Sequence, residues 1–412
     1  MTSGTLPPSA DAGARVKTAR IPAAARAALA LLPRLQAGTL VVHTPDGATH
    51  QATGASRPEL HATLIVHDWA LFAATMRAGD IGFAEGYLAG HWTTPHLADL
   101  LRVLLANREV VEKAIYGSWW GQLLHRLQHA LNRNTRNGSR RNIAAHYDLG
   151  NAFYALWLDE TMNYSSAWFD GDFARPLAQA QQAKLLRAIT ATGVRPGERL
   201  LEIGCGWGAV AEAAARAGID VIGLTLSKEQ LAWAQARLAR AGVAQHADLR
   251  LQDYRDVPDG PFDAIVSIEM FEAVGREYWD AYFRTVHGQL KAGGKACVQA
   301  IVIRGDLFER YASSADFIQR YVFPGGMLPS AALFERHAAA AGLRVVDRFA
   351  FGLDYAETLR RWRHAFLARL DDVRRQGFDE RFVRLWEFYL AYCEAAFDAG
   401  NTDVIQFTLQ RD

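Results

Sequence analysis

The stretch LLEIGCGWGAVAEAAAR, residues 200–216, decides the fold. Leu200, Leu201 and Ile203 read as a buried strand, glycines follow at 204, 206 and 208, and an alanine-rich run of helix formers comes at once. Strand, glycine loop and helix in that order let a backbone turn tightly and approach a ligand. Working outward, apolar strands fall at 199–203, 220–224, 249–253, 263–268 and 295–303, with helical segments between them from about residue 180. That alternation predicts an α/β fold on a parallel sheet with helices on both faces. Ligands in such sheets bind beyond the carboxyl ends of the strands.

A glycine loop also opens dinucleotide-binding folds, so its neighbours matter. Glu202 stands before the first glycine, where a carboxylate would repel a pyrophosphate. A ligand carrying an ammonium and a sulfonium would suit it. The pattern resembles motif I of class I S-adenosylmethionine (SAM) methyltransferases, which implies a Rossmann-like fold with SAM as cofactor. The next strand ends in GLTLSKEQ, and Thr225, Leu226, Ser227 and Gln230 replace the acidic residue a dinucleotide enzyme would place there. The third leads into LQDYRD, where Gln252 and Asp253 are candidates for the adenine. Taken singly these are ordinary loop and cap residues. In order, at successive strand ends, they join Glu202, Gly204, Cys205, Gly206 and Gly208 as a cofactor-binding set.

The chain has 412 residues, half of them hydrophobic, which is too much for one small core. We expect a flexible arm over 1–37, a small α+β domain over 38–112, a basic segment over 113–145 and the catalytic domain over 146–412. In the small domain, Asp46-Gly47 signals a hairpin after the first strand, and a helix is expected to stop at Gly79. Net charge is +1, so nothing global favours nucleic acid. The basic segment, with its continuation to residue 147, holds no acid and sets Trp119 and Trp120 beside leucines. It reads as an amphipathic helix able to lie in a lipid interface, or as a solvated linker. Cys205, Cys297 and Cys393 lack metal spacing and read as reduced thiols of a cytoplasmic protein; no metal site and no transmembrane helix is expected.

Further motifs make the resemblance more specific. IAAHYDLGNAFYALWLDETMNYSSAWFD (143–170), IGCGWG, GLTLSKEQ, MFEAVG and YVFPGGMLPS occur in order. Together they resemble the cyclopropane-fatty-acyl-phospholipid synthase family, which includes the mycolic acid cyclopropane synthases, over roughly residues 40–410. The resemblance implies methyl transfer from SAM to the cis double bond of an acyl chain at a phospholipid membrane, by a cytoplasmic, peripherally associated enzyme, with a homodimer open. It places Tyr164 and Ser165 over the cofactor, with His146, Tyr147 and Asp148 just before them, and the 321–330 loop near an acyl tunnel.

In that family a bicarbonate takes the proton whose loss closes the ring. It is held by a cysteine, a glutamate, a histidine, an isoleucine backbone and a tyrosine. On this chain those positions fall on Ser166, Glu272, Gln299, Ile301 and Tyr355. Glu272 is expected to offer negative charge to a developing cation. Ser166 and Gln299 depart from the pattern, and a glutamine can donate to an anion but cannot carry its proton. The anion site is therefore either kept in altered form or lost, and its loss implies a methyl-branched or methylene chain instead of a ring. Glu269, in FDAIVSIEMFEAVG (262–275), stands where the family has a small residue and reads as a helix cap. Two other readings are a methyltransferase for a soluble small molecule and a lipid-binding homologue without activity.

Overall fold

The computed structural model describes residues 21–111, 149–313 and 316–412. The basic amphipathic segment, with His146, Tyr147 and Asp148 beyond it, lies outside the described residues. Strands β1 (Ala37–His43), β2 (Thr49–Thr53), β3 (Ser56–Val66) and β4 (Trp92–Thr93) form a small sheet in the order β2-β1-β3-β4. The hairpin expected at Asp46-Gly47 joins β1 to β2, with Thr39 opposite Thr53. The helix Ala70–Leu88 does not stop at Gly79. It kinks there, at φ 60° and ψ −133°, and resumes. Only glycine takes that backbone geometry without strain, so the residue read as a stop serves as a bend.

The large sheet holds β5 (Arg199–Ile203), β6 (Asp220–Thr225), β7 (Ala247–Leu251), β8 (Phe262–Ile268), β9 (Leu290–Ile303), β10 (Leu343–Ala350) and β11 (Thr402–Arg411). Their order is β10-β11-β9-β8-β5-β6-β7. The pairs β5–β6, β5–β8, β6–β7 and β8–β9 are parallel, and β11 runs antiparallel to both neighbours. Strand order reverses between β5 and β8, which is where a doubly wound sheet opens a crevice. The VIQFTL segment, read as a plausible edge, lies inside the sheet: Val404 to Thr408 and Leu409 are buried in unbroken succession. Two-sided burial is the mark of an interior strand. The edge is β10, whose residues are largely exposed.

The small sheet has no separate core. One apolar cluster runs from Leu40, Leu71, Trp92 and Leu100 through Phe153 and Trp157 to Trp362 and Trp386. An ion pair and a hydrogen bond seal the same boundary: Arg102 meets Glu394 at 2.6 Å, and the Tyr87 hydroxyl donates to Glu387 at 2.7 Å. Glu394 is fully buried and also pairs with Arg363. A buried carboxylate is stable only when so matched.

Candidate active site

At the end of β5 the chain turns through Gly204 at φ 86°, and the N–H groups of Gly204 and Cys205 both donate to the Leu224 carbonyl, at 3.0 and 2.7 Å. A β-carbon on Gly204 would meet the Met270 side chain at 2.9 Å. Only a glycine can lie so close under that neighbour. The loop borders a cavity of ≈ 170 Å³ beyond the strand ends. Tyr164, Ser165, Glu202, Gly204, Cys205, Gly206, Thr225, Leu226, Gln230, Gln252 and Asp253 all line it. Gly208 and Ser227 do not. Gly208 lets two helices touch, since a β-carbon there would sit 2.9 Å from that of Ala234. Ser227 caps the helix Lys228–Arg240 by accepting from the Gln230 N–H at 3.2 Å.

The lining fits SAM. Glu202 is 2 % exposed, and its Oε2 has no hydrogen-bond partner within the protein. Burial pushes its carboxyl up to about 8. A buried acceptor of this kind wants a cation. The Thr225 hydroxyl bonds Gln230 at 3.0 Å, a polar pair placed for a sugar. Asp253 is already held by Arg255, at 2.8 and 2.6 Å, which fixes the direction of its remaining lone pairs.

Behind this cleft lies a second constellation. Ser166, Gln299 and Tyr355 converge, as the resemblance implies, but on a carboxylate of the chain itself. Glu269 Oε1 accepts from the Ser166 N–H at 2.8 Å and from the Gln299 amide at 2.7 Å, and its Oε2 accepts from the Tyr355 hydroxyl at 2.6 Å. Ile301 N–H donates to Glu272 at 2.5 Å. Glu269 is no helix cap. Its backbone sits at φ 48°, a left-handed conformation that costs a non-glycine residue roughly 1–3 kcal/mol and persists only where the surroundings impose it. It also borders the cofactor cavity and is half-buried.

The donors are held from both sides. From the helix Leu177–Thr192, Lys184 reaches the Ser165 hydroxyl at 2.5 Å, and Gln181 reaches the Ser165 carbonyl at 2.9 Å. From the helix Gly352–Ala368, Thr358 takes the Ala167 N–H at 3.1 Å and Asp354 takes the Phe169 N–H at 2.5 Å. Segment 164–169 is thereby fixed with the Ser166 N–H aimed at Glu269. The 321–330 loop closes the far side, its Met327 N–H donating to the Glu272 carbonyl at 2.9 Å.

Two neighbouring half-buried carboxylates cannot both ionise cheaply, and their surroundings divide the roles. Burial raises Glu269, but the Lys184 ammonium, Tyr355, the Ser166 N–H and Gln299 all oppose it. Glu272 has one backbone donor, an unpartnered Oε2 and the charge of Glu269 beside it, and is pushed up to about 8. Of the pair, Glu269 has the surroundings that better favour ionisation, and Glu272 is the member held protonated near neutral pH. The surroundings thus favour negative charge on Glu269 over Glu272, where the sequence reading placed it. Lys184, wholly buried, is pulled down to about 8 by desolvation and still carries its proton at pH 7.

The same geometry argues against a bicarbonate. The donors that would hold one are already given to Glu269 and Glu272, and the anion would have to sit beside those two carboxyl groups. Glu269, read from the sequence as a helix cap, is the residue on which these donors meet. The signal was present: a carboxylate at a buried strand end, together with changes at two anion-holding positions.

The comparisons with known proteins agree with this architecture. Residues 134–407 match the family model described as mycolic acid cyclopropane synthetase. The chain is 41% identical over 369 residues to the tuberculostearic acid methyltransferase UfaA1 of Mycobacterium tuberculosis, covering 88% of this chain and 86% of that one. It is 34% identical to the cyclopropane-fatty-acyl-phospholipid synthase of Escherichia coli K12, over 82% of this chain and 85% of that one. Among solved structures, the mycolic acid cyclopropane synthase CmaA1 complexed with SAH and CTAB superposes with a TM-score of 0.61 at 35% identity, covering 66% of this chain and 98% of that one. With its sheet order, its cofactor cleft and these matches, the chain belongs to the mycolic acid cyclopropane synthetase family and is a SAM-dependent methyltransferase.

Proposed function

We propose that the enzyme methylates the cis double bond of unsaturated phospholipid acyl chains and releases a methylene-branched chain instead of a cyclopropane. One observation carries this reading: the carboxylate of Glu269 takes up the donors expected to hold a bicarbonate. The similarity to a tuberculostearic acid methyltransferase supports it.

SAM, when bound, supplies an electrophilic methyl group. The alkene electrons form the new carbon–carbon bond and leave a cation on the neighbouring chain carbon. Glu269, ionised and close to the cleft, stabilises that cation electrostatically. The cation then loses one proton, which the Glu269 carboxylate takes. Loss before any rearrangement closes a ring. A 1,2-hydride shift first moves the cation to the methylated carbon, and loss of a methyl proton then gives an exocyclic double bond. In both routes one methyl is gained and one proton is given up. A carboxylate tied by three donors and a strained backbone cannot follow the methyl as a loose anion can, and this leaves time for the shift.

Gas chromatography with mass spectrometry of lipids from a host lacking its own cyclopropane synthase tests the proposal. A methylene-branched acid is expected, and a cyclopropane as the main product would overturn it. We also propose that the basic segment holds the enzyme to the membrane. Replacing Arg133, Arg136, Arg140 and Arg141 by glutamine then weakens binding to anionic vesicles, at roughly 1 kcal/mol per charge. Unchanged vesicle binding would reject that contact.

A further inference from the structure

Gln299 reaches Glu269 with its amide N–H, yet a glutamine amide has nearly the same shape when flipped, and the flipped form would set a carbonyl against a carboxylate. Something must fix its direction. Gln299 in β9 lies opposite Gln406 in β11, and both side chains are fully buried. The Gln406 amide donates to the Gln299 carbonyl oxygen at 3.0 Å and to the Lys184 backbone carbonyl at 3.2 Å. The Gln406 oxygen accepts from Arg187 Nη1 at 2.6 Å. Arg187 is anchored in turn, with Nη2 on Asp347 at 3.0 Å and its guanidinium over the Phe349 ring at 3.7 Å. Asp347 is half exposed, so the chain begins at the surface.

An arginine only donates. Facing Arg187, Gln406 must present its oxygen, and its N–H then points at Gln299. Gln299 must present its oxygen to that N–H, and its own N–H then points at Glu269. Reversing either amide would set donor against donor, or carbonyl against carboxylate. We propose that Arg187 and Gln406 are positioning residues for the reaction. They fix the polarity of the Gln299 amide, so that a donor always faces the carboxylate that takes the proton. The proposal rests on the reading of Glu269 as that base and adds the residues that set it up.

The test is the pH dependence of turnover. Glu269 must be ionised to act, so losing a donor raises its pKa and moves the acid limb to higher pH. The other charged or titratable groups facing it are Lys184 from the helix Leu177–Thr192, Tyr355 from the helix Gly352–Ala368, and Glu272. None is changed in the variants. Arg187→Met and Gln406→Leu are expected to move the acid limb up by about one pH unit, about tenfold in rate on that limb. Arg187→Lys keeps one donor and is expected to recover most of the shift. Infrared titration of the protonated carboxyl band, with Glu269→Gln to identify it, reads the same change without turnover. If Gln406→Leu does not fold, Arg187→Met at the surface end still decides. A lower rate in Arg187→Met with an unmoved limb and band would mean a merely structural role and overturn the proposal. If Glu269→Gln keeps the wild-type rate and profile, the base reading itself fails, and the proposal with it. If Glu269→Gln loses activity while the Arg187→Met limb stays fixed, the base reading stands and only the relay falls.

Discussion

The cofactor cleft and the nest behind it share one sheet but are built differently. The cleft, over β5, β6 and β7, is made mostly of backbone and short side chains in three sequence-local motifs. The nest, over β8, β9 and β11, is made of groups far apart in sequence: the donors to Glu269 lie 30, 86 and 103 residues from it along the chain. A backbone-built site keeps its function while its glycines keep their turns. A side-chain nest can exchange one occupant for another with no change of fold, and the proposed function takes Glu269 to stand in for a free anion. The lesson is that cofactor and product chemistry are set in separate places.

The sharpest way to break that separation is Glu269→Gln. Turnover is expected to fall by about 10²–10⁴-fold, the usual worth of a positioned base, while SAM affinity measured by calorimetry stays within a few-fold. A large loss of affinity would mean that cleft and nest are one site. The next test reads the cleft alone. Glu202, at about 8 in the free protein, is neutral near pH 7, and an arriving ammonium favours its ionised form. Binding of SAM should therefore release about one proton near pH 7 and tighten as pH rises toward 8. Calorimetry in buffers of different ionisation enthalpy measures this, and Glu202→Gln should abolish the release. A release that persists in that variant would place the titration elsewhere. Stability has the same source and the opposite sign: Glu202 and Glu272 are both raised, so the stability of the free protein falls as pH climbs from about 4.5 through 8. The smallest effect is expected at the rim. Ser227→Ala should lower stability by about 1 kcal/mol through the lost cap and leave SAM affinity unchanged. A clear drop in affinity would return Ser227 to the cofactor set.

These contrasts explain what was legible in the sequence. The β5 loop and its cofactor residues could be read because their chemistry lies within a few residues of one another. Gly208 and Ser227 stand outside the cavity lining, and sequence spacing cannot separate a residue that faces a ligand from one that faces a helix. The interior position of β11 was missed because a pairing partner cannot be read from one strand, although its run of buried positions hinted at it. Gly79 read as a stop because glycine ends helices more often than it bends them. Glu269 was the hardest case. Its meaning depends on Ser166, Gln299, Tyr355 and Lys184, which meet only in three dimensions.

The place of β11 has one more consequence, for synthesis. It follows every other strand in the chain and pairs with both β9 and β10. On the ribosome those two strands wait as open edges, the kind of surface that invites unwanted pairing, until residues 402–411 emerge. That one strand then closes the sheet and delivers Gln406 to Gln299 in the same movement. A nascent chain still short of it lacks the Gln406 contact to Gln299.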